Sequence, residues 1–283
     1  MEAGITYQRY APAPELASYV SHYAYYENRA DWAWEFALPD GLPSLVFILH
    51  QPHHLQLFTP GKAAIECRQA YLTGAYSQGI YVPRQAQTQR LFSIRFTAEG
   101  IYHLLRQPVA GLRGQPAWPA ELVLGAWLPA LTEQVLTSST VGQLIGATET
   151  YLRRQLARYP AQDLRFQEAV QRIVTSRGQQ SIDSLAVHLK VSYKWLERRF
   201  QTYLGLSPKE FARLNRFIHT YFSFRRQGLQ DLLGLAVENG FYDQTHFNKE
   251  FRYFTNQTPT GLYRADVQDL AHLFATAYRP GHP

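Results

Sequence analysis

The pattern of apolar and polar positions changes character near residue 98. Over residues 1–100 apolar side chains come in short runs broken by Gly and Pro. The run Leu42-Pro43-Ser44-Leu45-Val46-Phe47-Ile48-Leu49 follows the turn signal Pro39-Asp40-Gly41. Its length and its β-branched and aromatic members predict a buried strand. Further strands are predicted at 55–58, 69–73, 79–82 and 91–96, the cadence of a β-sandwich or small barrel. From residue 98 the apolar spacing becomes helical, over 98–105, 122–136 and 141–159. A Pro- and Gly-bearing stretch, 107–119, separates the first two. Tyr159-Pro160-Ala161-Gln162 reads as a boundary, because Pro160 stops one helix and Asp163 can cap the next. Phe166, Ala169, Val170 and Ile173 then form one apolar face, and a Gly stop is expected at Arg177-Gly178.

Beyond residue 163 the chain repeats itself. Leu185-Ala186-Val187, Ser192, Leu196, Phe200, Gly205 and Ser207-Pro208 recur as Leu235-Ala236-Val237, Asp243, Phe247, Phe251, Asn256 and Thr258-Pro259. The offset is 50 residues at the first element and 51 afterwards, so the second copy has one extra turn residue. Each element has a physical task. The small Ala lets a second helix cross closely, and Val191 or Gly240-Phe241 makes the turn. Ser192 or Asp243 accepts N–H bonds from the next helix. Leu196 and Phe200, or Phe247 and Phe251, are i and i+4 on its buried face. Gly205 or Asn256 takes the left-handed C-terminal conformation, and Pro208 or Pro259 opens a further helix. This is a helix-turn-helix twice over. A linker helix over 208–226 joins the copies and spans roughly 28 Å at 1.5 Å per residue. Successive major-groove faces on one side of B-DNA lie about 34 Å apart.

The chain has 283 residues, a length for about two domains. The fold class expected is α+β. It comprises a β-sandwich or cupin-like N-terminal domain with helices (1–160), an all-α domain of two helix-turn-helix units (163–264) and a C-terminal tail (265–283). Charge is unevenly spread. Residues 163–264 hold 15 Lys/Arg against 9 Asp/Glu, whereas residues 1–162 hold 12 against 11. The basic excess therefore coincides with the repeat and points to a polyanionic partner. The single cysteine, Cys67, excludes a disulfide framework and an all-cysteine zinc site. No apolar run reaches the roughly 18 residues of a membrane span. No basic region followed by an apolar stretch opens the chain, so no signal peptide is expected. The expectation is a soluble cytoplasmic protein without membrane association.

The repeat resembles the DNA-binding region of the AraC/XylS family of bacterial transcription regulators, over residues 181–263. The resemblance rests on Gly240-Phe241-Tyr242-Asp243-Gln244-Thr245-His246-Phe247 with Phe251 and Thr258-Pro259, and on Leu204-Gly205-Leu206-Ser207-Pro208. The chain departs from the family where Lys190 and Asn256 stand at positions commonly Gly. The N-terminal part is similar to a domain found in a subset of these regulators. The matching pieces are Leu38-Pro39-Asp40-Gly41 with Leu45-Val46-Phe47, Ser93-Ile94-Arg95-Phe96, and Leu104-Leu105 with Pro108-Val109-Ala110-Gly111-Leu112. The resemblance implies a sequence-specific transcription regulator bound to double-stranded DNA. Its N-terminal domain would either sense a small-molecule effector or only dimerise. RNA polymerase would be a partner of an activator, and a homodimer is a further expected partner state.

In the first unit, Leu196 and Phe200 face the core of a recognition helix over 192–203. Ser192 opens that helix, and Tyr193, Lys194, Glu197 and Arg198 are expected to project outward onto DNA. Arg198 is the candidate base reader, since Arg bonds a guanine edge in bidentate fashion. Lys194 reaches a base or a phosphate. Glu197 accepts from a cytosine amino group or only orients Arg198. In the second unit, over 243–254, the outward positions are Gln244, Thr245, Asn248 and Lys249. Asp243 and Glu250 cancel Lys249 and Arg252 there, so this helix is expected mainly to position the protein on the backbone. His246 reads as a structural helix residue. Of the linker arginines Arg213, Arg216, Arg225 and Arg226, some are expected on phosphates and most on a solvated face.

No catalytic or cofactor motif appears, and neither enzymatic activity nor a cofactor is expected. His50, His53 and His54 have the wrong spacing for a cupin metal site and read as a polar hairpin loop, so no metal is expected. Glu66 and Arg68 pull the thiol of Cys67 in opposite directions. Tyr23, Tyr25, Tyr26, Trp32 and Trp34 either line an effector pocket or form an ordinary core or dimer face. The alternative to a regulator is a cupin-like binder or enzyme with an accessory DNA-binding module.

Overall fold

The computed structural model describes residues 4–29, 32–38, 40–59, 61–74, 76–83, 88–125, 128–156, 163–265 and 267–270. The N-terminal strands are β1 (Ile5–Tyr10), β2 (Val20–Asn28), β3 (Trp34–Ala37), β4 (Ser44–Ile48), β5 (His54–Leu57), β6 (Ile65–Arg68), β7 (Ala70–Thr73), β8 (Ile80–Pro83) and β9 (Gln89–Phe96). After α1 (Gly100–Leu105) and a 3-10 turn at Val109–Leu112 come β10 (Ala117–Pro119), α2 (Ala120–Leu124), α3 (Leu128–Thr137) and α4 (Val141–Leu156). The strands predicted at 42–49, 55–58, 79–82 and 91–96 are present, each shifted by one or two residues. The predicted strand at 69–73 begins at Ala70, because Gln69 is left-handed (φ 53°) and breaks it from β6. The helix expected over 122–136 is two helices, since Gly125 (φ 73°) ends the first. The boundary residues 159–162 and Pro39 lie outside the described residues.

Six strands form one antiparallel sheet in the order β1-β2-β9-β4-β7-β10. Strand residues alternate between faces, and each face here has its own partner. Leu45, Phe47, Leu72, Phe92, Ile94 and Phe96 point to α1–α4 and share a core with Ile101, Leu131, Leu144 and Leu152. Val46, Tyr71, Leu91, Ser93 and Arg95 point the other way and line a cavity. All of β4 is buried because it is covered on both faces.

The opposite wall is a smaller sheet, ordered β11-β3-β8, in which β11 (Val267–Asp269) comes from beyond the last helix among the described residues. β3 and β8 run antiparallel, with Glu35 opposite Val82 and Phe36 opposite Tyr81, and β11 runs parallel to β3. Alternation again sorts the side chains. Glu35, Ala37, Ile80 and Val82 line the cavity. Phe36 and Tyr81 face away from it, into the core of the helical region. Full burial of a Phe stabilises by about 1.5–3 kcal/mol, so Phe36, at 0% exposure, is a strong anchor between the two halves.

The helical region consists of α5 (Leu164–Thr175), α6 (Ile182–Leu189), α7 (Tyr193–Leu204), α8 (Pro208–Gln227), α9 (Leu232–Glu238), α10 (Gln244–Thr255) and α11 (Pro259–Arg264). Phe166, Ala169 and Ile173 of α5 are buried as their spacing predicts, and α5 is followed by left-handed Arg177 and Gly178. The helix α8 is the spine. Phe211, Leu214, Phe217, Ile218, Tyr221 and Phe224 bury its length between the two repeat units. No helix among the described residues is long and apolar enough to cross a membrane.

Candidate nucleic-acid interface

The first unit is α6-turn-α7. Ser181 and Ser192 cap the two helices by accepting from the Ser184 and Trp195 N–H groups, both at 3.1 Å. Lys190 closes α6 in the left-handed conformation (φ 53°, ψ 46°), the geometry that favours Gly at a helix C-terminus. Leu196 and Phe200 are fully buried, and Lys194, Glu197 and Arg198 are exposed as the spacing predicts. The Ser192 side chain is used as the cap. Tyr193 is half-buried, with the Lys209 ammonium 5.6 Å from its ring centre. Arg199 is held internally, its Nε 2.9 Å from Asp163 and its guanidinium over the rings of Trp195 and Tyr203.

The second unit repeats this with different residues. Asp231 caps α9 by accepting from Gly234 N–H (2.7 Å), and Asp243 caps α10 by accepting from His246 N–H (2.7 Å). Phe247 and Phe251 are fully buried. Gly205 (φ 71°) and Asn256 (φ 57°) end α7 and α10 in the same left-handed geometry, as their equivalent places in the repeat require. Gln244, Thr245 and Lys249 are exposed. Asn248 is half-buried, and its Oδ1 is buried without a hydrogen-bond partner. His246 Nδ1 lies 3.4 Å from the Tyr242 amide, and its ring packs edge-on to Phe241. Spacing did not single out two exposed residues of this face, Tyr242 (89% exposed) and Arg252. Tyr242 has no counterpart in the first unit because it belongs to the one-residue insertion.

The linker arginines are largely consumed inside the protein. Arg213 makes a bidentate pair with Glu250 of α10 at 2.5 and 2.7 Å and stacks on Tyr253, 4.0 Å from its ring centre. Arg216 donates to the carbonyls of Gly178 (3.0 Å), between α5 and α6, and Gly240 (3.4 Å), in the turn of the second unit. Arg225 pairs with Asp269 at 2.7 Å, and Arg226 lies 3.4 Å from Ser223 Oγ. Arg213 and Arg216 thereby fasten the second unit to the linker helix.

The same region is tied to the N-terminal domain. The last turn of α10 leaves carbonyls without helical partners, and the N-terminal domain supplies the donors. Gln78 Nε2 donates to Tyr253 O (3.1 Å), Gly79 N to Phe254 O (2.5 Å) and the Tyr81 hydroxyl to Thr255 O (2.7 Å). Arg113 pairs with Glu210 at the head of α8 (2.6 Å), and Tyr102 meets Tyr203 edge-on. Gly41 (φ 81°) approaches Leu214, Leu206 and Phe211.

The cavity behind this interface measures about 130 Å³. Its surface is mainly apolar, with Tyr26, Tyr71 and Tyr76 among the rings. Glu35 is its buried carboxyl. Asn28 Nδ2 and the Tyr26 hydroxyl donate to it, and the Gln89 amide, turned to satisfy both its atoms, donates to both carboxyl oxygens at 2.7 and 2.9 Å. Burial raises this carboxyl above its ordinary range, against the opposing pull of the Asn28 and Tyr26 hydrogen bonds. Arg95 pairs with Asp40 and donates to Ser44 Oγ (2.9 Å), joining two sequence pieces 55 residues apart. Of the aromatic segment, Tyr26 lines the cavity, Tyr23 lies in the core under α1–α4, and Trp32 and Trp34 are exposed. His50, His53 and His54 go to separate partners, namely the Arg90 backbone, the Ile48 carbonyl and Glu66. Cys67 is buried, and burial pushes its thiol up to about 12, with the charges of Glu66 and Glu121 adding to the effect.

Two family models match the chain. Residues 185–265 match a helix-turn-helix domain, and residues 8–117 match a domain of unknown function, DUF6597. No curated protein matches the sequence. Solved structures with similarity include ToxT from Vibrio cholerae O395, at 14% identity and a TM-score of 0.44, covering 86% of this chain and 96% of that one. Wild-type ToxT from Vibrio cholerae strain SCE256, bound to an unsaturated fatty acid, is 11% identical with a TM-score of 0.42, covering 91% and 94%. Likenesses this distant transfer no residue roles.

Proposed function

We propose that this chain, whose C-terminal part is a helix-turn-helix domain of the AraC/XylS type, is a sequence-specific transcription regulator that lays α7 and α10 into adjacent major-groove segments of double-stranded DNA. The observation that carries this reading is the structural equivalence of the two units on one rigid spine. Each has a side-chain-capped recognition helix, a buried aromatic pair or Leu–Phe pair, and an exposed polar stripe. The 20-residue α8 between them is about 30 Å long, close to the roughly 34 Å groove repeat.

In this reading α7 specifies and α10 positions. Arg198 reads a guanine edge, a contact worth about 1–3 kcal/mol of discrimination. Lys194 reaches a neighbouring base or phosphate, and Glu197 accepts from a cytosine amino group or orients Arg198. Gln244, Thr245 and Lys249 engage the second groove, with Asn248 at its margin and Ser192 and Tyr193 at the entry to the first. The regulatory boundary falls near residue 160. The N-terminal domain holds a small-molecule effector in its cavity and alters the presentation of the two helices. A homodimer and, for an activator, contact with RNA polymerase complete the set of partners.

The test is fluorescence anisotropy of the full chain on duplexes selected from a random pool, across a salt series. Selection should converge on one sequence, and Arg198→Ala should lose five- to 150-fold in preference for it while keeping a salt slope. A pool that does not converge, or an Arg198→Ala protein with unchanged preference, would overturn the assignment.

A further inference from the structure

The cavity wall is not built by the N-terminal domain alone. Leu270 lies beyond the last helix of the DNA-binding region, yet it is 2% exposed and lines the cavity with Glu35, Ile80 and Val82. Its amide donates to the Phe36 carbonyl at 2.8 Å, extending the β11–β3 pairing. The preceding residue, Asp269, faces the other way. It accepts from the Tyr221 hydroxyl (2.7 Å) and pairs with Arg225 (2.7 Å), both on α8. The end of β11 and the residue after it thus line the cavity with one side chain, Leu270, and grip the linker helix with its neighbour, Asp269.

We propose that this cavity is a composite binding site, completed by Leu270, for a monocyclic, largely apolar molecule carrying one hydrogen-bond donor. The inference rests on the effector reading of the N-terminal domain. Size sets the first half of the ligand class. At about 130 Å³ the cavity is close to the roughly 150 Å³ apolar cavity that takes benzene. Chemistry sets the second half. The hydrogen bonds on Glu35 come from the neutral groups of Tyr26, Asn28 and Gln89, so its carboxyl welcomes a further donor and opposes an anion. The guanidinium of Arg95, which also borders the cavity, is already paired with Asp40. A hydroxyl or amine on a single ring fits both conditions, and a carboxylate does not. Because Leu270 directly follows Asp269 at the end of β11, a ligand packed against Leu270 is registered at α8, the spine of both helix-turn-helix units.

The experiment is calorimetric titration of the full chain with phenol, benzoate and 2-naphthol, on the unmodified protein and on Leu270→Ala. The unmodified protein should bind phenol at least tenfold more tightly than benzoate or the two-ring naphthol. Leu270→Ala enlarges the wall and should shift the phenol-to-naphthol preference at least tenfold towards naphthol. Should Leu270→Ala fail to fold, Leu270→Phe fills the cavity instead and should abolish phenol binding. Unchanged selectivity in Leu270→Ala, or full phenol binding by Leu270→Phe, overturns the role of the tail. Benzoate binding as tight as phenol overturns the ligand class, and no binding of any of the three overturns the site. The titration contains no DNA, so a failed DNA selection with intact phenol binding would sink the regulator reading alone.

Discussion

Arg213 on the linker helix and Glu250 on the second recognition helix form a bidentate ion pair, with N···O distances of 2.5 and 2.7 Å. The pair accounts for one of the two acids, Glu250 beside the helix cap Asp243, that make the second recognition segment electrically neutral in sequence. Glu250 is buried away from the exposed stripe of Gln244, Thr245 and Lys249 and locks the helix to the spine. Glu250 is largely buried and the Arg213 side chain is 41% exposed, so the cost of breaking the pair is scaled down from that of a fully buried one. Glu250→Ala should destabilise by about 1–2 kcal/mol, read by thermal denaturation. Arg213→Met should leave the salt slope of DNA binding unchanged. A slope reduced by about 0.9 would show that Arg213 neutralises a phosphate instead.

Gly178 has no room for a side chain. It is left-handed (φ +68°), and a Cβ there would overlap the carbonyl oxygen of Ala212 on α8. Its own carbonyl also accepts from Arg216. Gly178→Ala should therefore destabilise the helical region by at least about 2 kcal/mol, combining the left-handed penalty with a backbone clash. Denaturant titration followed by far-UV dichroism reads the change.

Lys190 is the converse case, a side chain where the backbone favours Gly. At φ 53° it carries a left-handed cost of about 1–2 kcal/mol, partly offset by the greater freedom Gly has when unfolded. Lys190→Gly should raise stability by up to about 1 kcal/mol. A lower denaturation midpoint for this variant would refute the estimate.

A half-buried histidine and a buried carboxyl give stability opposite pH dependences. Burial, and then Arg95 and Arg9, hold the His22 ring down to about 3, against an ordinary value of 6.5. Stability tied to its neutral form is present above about pH 6.5 and is lost as pH falls towards 3. The slope is at most about 1.4 kcal/mol per pH unit. Glu35 has the opposite sign, because burial raises its carboxyl. Its contribution is present below about pH 4.5 and is lost as pH rises through the raised folded value. His22→Gln should flatten the acid side of the melting-temperature profile. Glu35→Gln should remove the loss on the rising side, and a profile unchanged in both variants would contradict these assignments.

Much of the helical region was legible in sequence because its information is local. A cap such as Ser192, a turn residue such as Gly240 and an i, i+4 pair such as Phe247 and Phe251 act within a dozen residues, and the repeat states each of them twice. The strands were legible as a cadence and not as a sheet. Strand order depends on pairings such as Leu45 with Ile94, which no local pattern encodes. The split of helix 122–136 at Gly125 was missed because the apolar spacing continues across the break.

The sequence by itself determined the two helix-turn-helix units, their caps and the exposure of Lys194, Glu197 and Arg198, since helical period and capping chemistry follow from near neighbours. Only the tertiary structure decided where the charges went. Arg199, Arg213, Arg216 and Arg225 each find a partner 24 to 44 residues away, in contacts set by packing rather than by spacing. The tertiary structure alone also made β3, β8 and β11 a shared wall. Strands far apart in the chain meet there, and their alternation turns Glu35 and Leu270 to the cavity and Phe36, Tyr81 and Asp269 to the DNA-binding helices.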